Sequence, residues 1–351
     1  MSFRFAHATP EENRMTTKTV GIDIHKSESQ IAVVNDEGEP VDERRIANDQ
    51  LADFAAEYAG SEAAIEASRN YFTIYDTLSE ELEVTVVDPR QTRWIADSSK
   101  KTDRIDAKKL ANLLRVGMVS ESYVPPPAIR KRRALVRGRK KFVEKRTDCK
   151  NEIHALLDQN GISYEGSLWD EDGLEFLADV ELTEPSRLLL DQWLELLGDL
   201  TEKLYALDRE IERIAADVPE VQLLMTIPGV SSYSGLMIHA EIGEVDRFDE
   251  ANQLVSYAGL DPVVKESGET RTEGGISKQG SSYLRYILVM SATSAVHNAK
   301  DPYLKEFYDR LRHKRGKPHK VAIVATARKL LVSIFHMLTN EEPYDPPGVT
   351  S

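Results

Sequence analysis

The chain has 351 residues, enough for two or three domains, and a hydrophobic fraction of 41%, which is ordinary for a protein that buries real cores. No apolar run reaches the roughly 18–20 residues that a membrane helix needs, and the N-terminus lacks the apolar core of a signal peptide. We therefore expect a cytoplasmic protein with no membrane partner. A single cysteine, Cys149, excludes an internal disulfide and argues against a cysteine-based zinc site.

The net charge of −14 is unevenly distributed along the chain. Residues 90–150 contain 19 Lys or Arg against 6 Asp or Glu, so the remainder of the chain carries −27. One basic segment inside an acidic body is typical of a protein with a confined phosphate-binding surface. The acidity itself fits either solubility or adaptation to a salty cytoplasm.

After a tail over 1–17, which we expect to be disordered, strand and helix patterns alternate. KTVGIDIH, SQIAVVND and PVDERRIA predict three strands, with DEGE as a hairpin turn between the second and third. A helix over 48–58, the strand EAAIEAS, a helix over 70–81 and the strand LEVTVVDP follow. This order predicts an α/β ribonuclease-H-like domain over 18–125.

Residues 103–160 have a helical pattern that is broken at the three prolines 125–127. A second helix, over 186–216, repeats leucine at steps of three or four, as the seam of a coiled coil requires. The two helices predict a coiled-coil arm over 126–220. The acidic stretch between them, WDEDGLEFLADVELTEP, is interpreted as a surface excursion.

The mostly α-helical C-terminal domain is predicted over 221–340, before a tail over 341–351. LLMTIPGVSSYSGLMIHAEIG indicates helix, Pro-Gly turn and helix, a helix-hairpin-helix-like segment that could present backbone N–H groups to a phosphate. The Gly-rich stretch ESGETRTEGGISKQGS is expected to be an exposed, adaptable loop. The helix SYLRYILVMSATSAVHN, the basic run HKRGKPHK and a final helix ending near residue 338 complete the domain.

Four acidic residues are spaced as a metal site for phosphoryl transfer requires. Asp23 ends the first strand, Glu66 lies in a later apolar strand, and Asp103 and Asp106 are three residues apart on a helix. Two divalent metals, Mg²⁺ or Mn²⁺, held by such carboxylates can activate a phosphodiester. Each acid alone also has an ordinary reading, as a strand end, a strand-edge residue, a helix N-cap, or an ion-pair partner of Lys109.

The motifs GIDIHK, IEAS, VVDPR and KTDRIDAKKLA resemble the N-terminal domain of the DEDD insertion-sequence transposases, which is similar to the resolvase RuvC. The stretches IPGVSSYSGLMIHAEIG, RFDEANQLVSYAGLDP, GGISKQGSSYLR and KVAIVATARKLL also resemble that family, in its order. The resemblance assigns the four acids to the metal site. It implies a recombinase guided by a bridge RNA, with Ser267 of the Ser-Gly pair as nucleophile and Ser277 as second candidate.

The partners implied are donor and target DNA, a structured guide RNA, and other copies of the chain in a dimer or tetramer. The basic helix after the prolines and the cations around the two serines are the expected nucleic-acid contacts. The residues are Lys101, Arg104, Arg130, Arg133, Arg137, Lys140, Arg271, Lys278 and Arg285.

Three rival interpretations remain. A RuvC-like junction endonuclease would use the same metal site without a serine nucleophile or a guide RNA. It would not need the additional C-terminal domain that contains the Ser-Gly pair. An inactivated relic that only binds DNA would not need all four acids. An actin-like nucleotide-binding fold would need Gly-rich phosphate loops, and the first 110 residues contain none.

Overall fold

The computed structural model describes residues 18–68, 71–88, 103–267 and 270–346, and within 103–105 and 264–274 it describes the backbone alone. The expected tail over 1–17 lies outside these residues. The chain divides into two compact units, Met1–Val124 and Pro125–Ser351.

The first unit is a five-stranded mixed sheet with helices, which confirms the predicted α/β architecture and is consistent with the nuclease-like fold. The strand order is β3-β2-β1-β4-β5, with β1, β2 and β3 antiparallel and β4 and β5 parallel to β1. Its elements are β1 (Thr19–Ile24), β2 (Glu28–Val34), β3 (Pro40–Ala47), α1 (Leu51–Glu57), β4 (Glu62–Glu66), α2 (Tyr71–Leu78), β5 (Glu83–Val87) and α3 (Asp103–Arg115).

The two faces of this sheet are covered differently because its residues alternate in direction. One face carries the main apolar core, in which Ile22 and Ile65 pack with Leu51 of α1 and Leu78 of α2. The other face is covered by α3, where Ala64 and Val87 cluster with Leu110. Gly21 lies on this second face, and a Cβ placed there would be 2.0 Å from the Ala107 oxygen and 2.5 Å from the Ala111 nitrogen. The absence of a side chain therefore lets the backbone of α3 contact β1 directly.

Gly21→Ala is expected to destabilise the first unit by about 1–3 kcal/mol or more, because the atoms it meets are backbone and cannot rotate away. Gly138 in the second unit is the matched control, since a Cβ there meets nothing within 4 Å. Because it lies inside a helix, Gly138→Ala should stabilise by up to about 1 kcal/mol. Urea unfolding measures the free energy of unfolding, which should fall in Gly21→Ala and rise in Gly138→Ala. A Gly21→Ala protein as stable as wild type would show that α3 does not contact β1 this closely.

The second unit is mostly helical. It contains two 33-residue helices, α4 (Pro127–Gln159) and α6 (Glu184–Ala216), which pack against each other. The other elements are α5 (Glu171–Asp179), α7 (Pro219–Met225), α8 (Ser232–Ile242), α9 (Ala251–Tyr257), β6 (Pro262–Ser267), β7 (Thr270–Ile276), α10 (Ser282–His297), α11 (Pro302–Asp309) and α12 (His319–Asn340).

The helix pair α4–α6 contributes to two separate cores. Toward its far end, Ile153 of α4 and Leu190 of α6 belong to a local cluster that also holds Leu177 of α5. At its base, Val136 and Ile211 belong to the large core of the helices that follow residue 220. The boundary predicted at 220 thus runs through a shared core.

Two segments differ from the sequence expectations. The acidic stretch between α4 and α6 contains the helix α5, which is capped by Asp170 and buries Leu177, so it is not a simple surface excursion. Within the Gly-rich stretch, residues 266–267 end β6 and residues 270–276 form β7, with Ser267 opposite Thr270, rather than the expected loop. Cross-strand hydrogen bonding orders this polar stretch without an apolar pattern.

Helix α12 is, within the described residues, the one helix long and apolar enough to cross a membrane by composition. More than half of its apolar window is buried against the rest of the second unit, with Ile323, Leu330 and Ile334 in the core. This burial is what a core helix shows, and length and composition alone are weak support for a membrane span.

Candidate active site and nucleic-acid interface

The first two predicted acids lie side by side at one end of the sheet. Strands β1 and β4 are parallel, with Ile22 paired to Ile65, so Asp23 and Glu66 are the next residues on neighbouring strands. Adjacent strands are roughly 4.8 Å apart. Side-chain alternation also places both acids on the face that α3 covers, because Gly21 and Ala64 lie two residues before them.

Helix α3 brings the third acid to the same end of the sheet. The C-terminal part of α3 lies against the β2–β3 turn, since a Cβ on Gly38 would meet Asn112 and Arg115. That turn is at the start of β1, because β2 is antiparallel to β1. The N-terminal part of α3, with Asp106, therefore lies at the end of β1, where Asp23 is located.

Two of these acids have a basic side chain nearby. The Asp23 Oδ2 lies 3.6 Å from His25 Nε2, with 18% of the Asp23 side chain exposed. The Asp106 Oδ1 lies 3.9 Å from Lys109 Nζ, the ion pair that the sequence suggested as an ordinary reading. The Asp106–Lys109 separation is at the long end for an ion pair, so it contributes about 1 kcal/mol or less.

Among the described side chains, no group of three or more acids, histidines or cysteines is close enough to hold a metal ion. The side chain of Asp103, the fourth predicted ligand, lies outside the described residues. Asp23, Glu66 and Asp106 nevertheless share one edge, and carboxylate oxygens are the ligands that Mg²⁺ prefers. The donor set fits the ion, and the four-residue metal site stays a prediction.

In the second unit, the basic helix α4 is attached to the end of α8 by its arginines. Arg133 donates to the carbonyl oxygens of Ala240, at 2.9 Å, and Glu241, at 3.2 Å. Arg132 Nη1 lies 3.0 Å from His239 Nε2. Arg133, predicted as a nucleic-acid contact, thus has an intramolecular role that the sequence did not reveal.

Burial lowers the pKa of His239 to about 4; Glu220 acts in the opposite direction and Arg132 in the same direction. The imidazole is therefore neutral at pH 7. A neutral imidazole can accept the Arg132 hydrogen bond at Nε2.

A fully buried carboxylate, Glu241, organises the base of the helix pair. Arg137 binds it with both guanidinium branches, at 2.6 and 2.8 Å, and Ser281 donates to it at 2.8 Å. Burial acts to lower the pKa of Arg137, but the bonds to Glu241 outweigh it and the pKa is raised. The Arg137 guanidinium also lies 4.5 Å from the Tyr283 ring centre. The sequence signal was available, because Glu241 is a carboxylate within an apolar helix.

The two candidate nucleophiles lie in and after the β6–β7 hairpin. Ser267 is the last residue of β6, and its side chain lies outside the described residues. Ser277 follows β7, and its hydroxyl donates to the Asp261 carboxylate at 2.6 Å. Asp261 is a residue that the sequence analysis did not select.

Two more predicted cations have neighbours within the second unit. Arg285 donates to the Ala258 carbonyl at 2.9 Å. Lys140 pairs with Glu144 and lies 4.7 Å from the Tyr286 ring centre. The Arg285 side chain thus stabilises the fold. Lys140 lies beside an aromatic ring and a carboxylate, and aromatic rings together with cations are also what nucleic acids bind.

The other predicted contacts remain predictions. Lys278 is exposed and has the unusual φ of 55° for a residue with a side chain. Arg130 is half-buried. Lys101 and the side chains of Arg104 and Arg271 lie outside the described residues.

Comparison with known proteins gives two family matches. Residues 20–161 match the DEDD transposase family of IS110, described as a transposase. Residues 221–309 match the family described as the transposases of IS116, IS110 and IS902. Together the two matches cover about two thirds of the chain and contain the three described acids and both candidate serines.

Individual relatives agree with these matches. The chain is 26% identical to the transposase for insertion sequence element IS1111A of Coxiella burnetii, over 93% of this chain and 91% of that protein. It is 25% identical to a probable family 20 transposase of Pseudomonas aeruginosa, over 95% of this chain and 100% of that protein. It is also 31% identical to a pilin gene-inverting protein of Moraxella bovis, over 41% and 46% of the two chains. The chain therefore belongs to the IS116/IS110/IS902 family of insertion-sequence transposases and is a DNA transposase.

Proposed function

We propose that this transposase cuts and rejoins DNA with a metal site formed by Asp23, Glu66, Asp103 and Asp106. The observation that supports the proposal is the parallel pairing of β1 with β4, which makes Asp23 and Glu66 neighbours on the sheet face that is covered by α3, the helix with Asp106. Mg²⁺ or Mn²⁺ bound there would stabilise the charge that develops on the scissile phosphate. The four carboxylates would hold the ions and fix their positions.

The proposed nucleophile is the hydroxyl of Ser267. Its oxygen loses a proton and forms a bond to the phosphorus while one P–O bond of the DNA strand breaks. The departing oxygen takes up one proton, which balances the proton lost by the serine, and becomes a free hydroxyl end. The resulting phosphoserine ester conserves the energy of the broken bond for rejoining. Arg271 and Lys278 are the proposed cations that offset the charge on the phosphate.

Ser277 is the second candidate, and a specific contact favours it. A serine hydroxyl needs a partner that takes its proton, and Asp261 accepts the Ser277 hydrogen bond at 2.6 Å. The next residue, Lys278, has a strained backbone, as residues at functional sites often do. The family position favours Ser267, so the two candidates are separated by experiment.

The proposed test traps the protein on a nicked DNA substrate and maps the DNA-linked peptide by mass spectrometry. An adduct on Ser267 that disappears in Ser267→Ala is the expected result, with cleavage lost when chelator removes the metal and restored by Mg²⁺. An adduct on Ser277 would move the nucleophile by ten residues. Cleavage without any adduct would indicate water as the nucleophile and a junction endonuclease.

The proposed guide is a structured RNA that pairs with donor and target DNA. The helix–turn–helix of α7 and α8 is proposed to act as a helix-hairpin-helix and offer backbone N–H groups to a phosphate. Its turn includes Gly229, with φ of 89°, and the Ser231–Ser234 capping box that begins α8. RNA that copurifies with the protein, identified by sequencing, would support the guide, whereas nucleic-acid-free active protein would exclude it.

The helix pair α4–α6 is proposed to act as a coiled-coil arm that joins protomers into a dimer or tetramer. Two DNA partners must be cut and exchanged. A single chain has one active site, so the reaction requires more than one copy of the chain. Large apolar side chains on the outside of α6 support this role, with Leu188 exposed by 62% and Tyr205 by 67%. Location in the cytoplasm, where the element's DNA lies, is part of the same proposal.

A further inference from the structure

The connection between α11 and α12 is strongly basic in an otherwise acidic protein. Residues 310–320, called here the basic turn, contain six Lys or Arg, and no Asp or Glu occurs between Arg310 and Asn340. The side chains of this turn are exposed from Arg312 to Lys320. Such a concentration of cations in a chain of net charge −14 indicates a local surface that attracts anions.

Internal hydrogen bonds stabilise the basic turn. It begins with a π-helical turn, Arg310–Lys314, a form that is rare and often found at functional sites. The Lys317 N–H donates to the Leu311 carbonyl at 3.0 Å, and Arg312 donates to the Lys317 carbonyl at 3.3 Å. Gly316, with φ of 62°, provides the reversal. The cations therefore project from an ordered backbone.

At the end of the basic turn, the hydroxyl of Tyr308 in α11 lies 2.7 Å from His319 Nδ1, which fixes the start of α12. The N-terminus of that 22-residue helix carries the positive end of its dipole. The helix dipole and the exposed cations thus add to one positive potential.

Among the described residues, acids form few ion pairs with the cations of the turn. Within the described part of the chain, Lys314, Arg315, Lys317 and Lys320 have no carboxylate partner. The acid just before the turn, Asp309, is held by Lys305 at 2.6 Å and lies 3.7 Å from His313. Four cations are thus available to an external anion.

We propose that the basic turn binds the phosphate backbone of a nucleic-acid duplex, an inference that rests on the proposed function and extends it to a site outside the catalytic residues. The turn contains no Phe, Tyr or Trp, so it offers no large ring on which an unpaired base could stack. Flexible lysines and arginines contact phosphates without reading sequence. A duplex, DNA or DNA paired with RNA, is the ligand that this chemistry fits.

The test replaces Lys314, Arg315 and Lys317 together by glutamine, and leaves Arg312 in place because it supports the turn. Binding of the full chain to a mixed-sequence DNA duplex is measured by fluorescence anisotropy at several salt concentrations. Each lost phosphate contact lowers the slope of log K against log salt by about 0.9, so the triple variant should lose about 2.7 from that slope. Affinity at low salt should fall by roughly tenfold or more.

A control with the same change of charge separates a local contact from general electrostatics. Lys203, Arg209 and Arg213 are exposed on α6, and their replacement by glutamine should change the slope by less than about 1. Equal effects of the two triple variants would overturn the proposal. Circular dichroism and thermal unfolding check that both variants remain folded.

Further probes identify the ligand and keep this proposal separate from the proposed function. A DNA–RNA hybrid should lose affinity as the DNA duplex does, whereas a defect confined to single-stranded RNA would overturn the duplex assignment. Metal-dependent cleavage is measured on the same proteins at saturating DNA concentration. Normal binding together with lost cleavage in Asp23→Asn would leave the metal site supported, whatever the basic turn variants show.

Discussion

Replacement of Asp23 by asparagine, or of Glu66 by glutamine, is expected to abolish metal-dependent DNA cleavage while leaving the first unit folded. Both substitutions keep the side-chain volume and remove the charge that would hold a divalent ion. Loss of one such stabilising interaction at a reacting phosphate lowers the rate roughly 10²–10³-fold, and loss of the ion lowers it further. The measurement is cleavage of a labelled DNA substrate across a Mg²⁺ titration.

Asp53 provides a matched control for this experiment. It is an exposed acid in the first turn of α1, which packs on the sheet face opposite α3. Asp53→Asn removes the same charge from the same unit and should leave cleavage unchanged. Cleavage at the normal rate by Asp23→Asn or Glu66→Gln would show that the substituted residue is not a metal ligand.

Arg137→Met is expected to destabilise the second unit by about 3–5 kcal/mol, because it leaves the fully buried Glu241 charge without its main partner. Glu241→Gln should cost less, since the Arg137 side chain is 35% exposed and can reach water. The double replacement Arg137→Met with Glu241→Met should recover much of the loss, because it removes both charges.

The neighbouring pair Arg139–Asp208 provides the control, since both of its side chains are partly exposed, at 22% and 33%. Arg139→Met should therefore cost about 1 kcal/mol or less. Denaturant unfolding is followed by the fluorescence of Trp169 and Trp193, which lie in the second unit, in a Trp94→Phe background. A similar cost for Arg137→Met and Arg139→Met would show that burial does not amplify the Glu241 interaction.

The sequence predicted most of the elements of the first unit because their patterns are local. Alternating β-branched residues gave the strands, and the motif GID placed Asp23 at the end of the first of them. What the sequence could not give is the contact of α3 with β1 through Gly21. That contact joins residues more than 80 positions apart, and a single glycine has many possible uses.

The second unit was harder to predict for the same reason. Arg133 and Arg137 have the composition of a nucleic-acid-binding helix, and their partners Ala240 and Glu241 lie more than 100 positions away. Helix α5 was missed because its sequence is rich in acidic residues, so the buried position of Leu177 does not stand out as part of an apolar pattern. The β6–β7 hairpin was missed because backbone pairing, rather than an apolar pattern, defines it.

The core that α4 and α6 share with the helices after residue 220 limits how this protein can evolve by exchange of parts. Modules move between proteins most easily where few contacts cross the junction. A junction near 220 would instead place Val136 and Ile211 from one ancestor against a core from another. Relatives that differ in their helical arm are therefore expected to have inherited the arm and the helices after residue 220 together, as one heritable block.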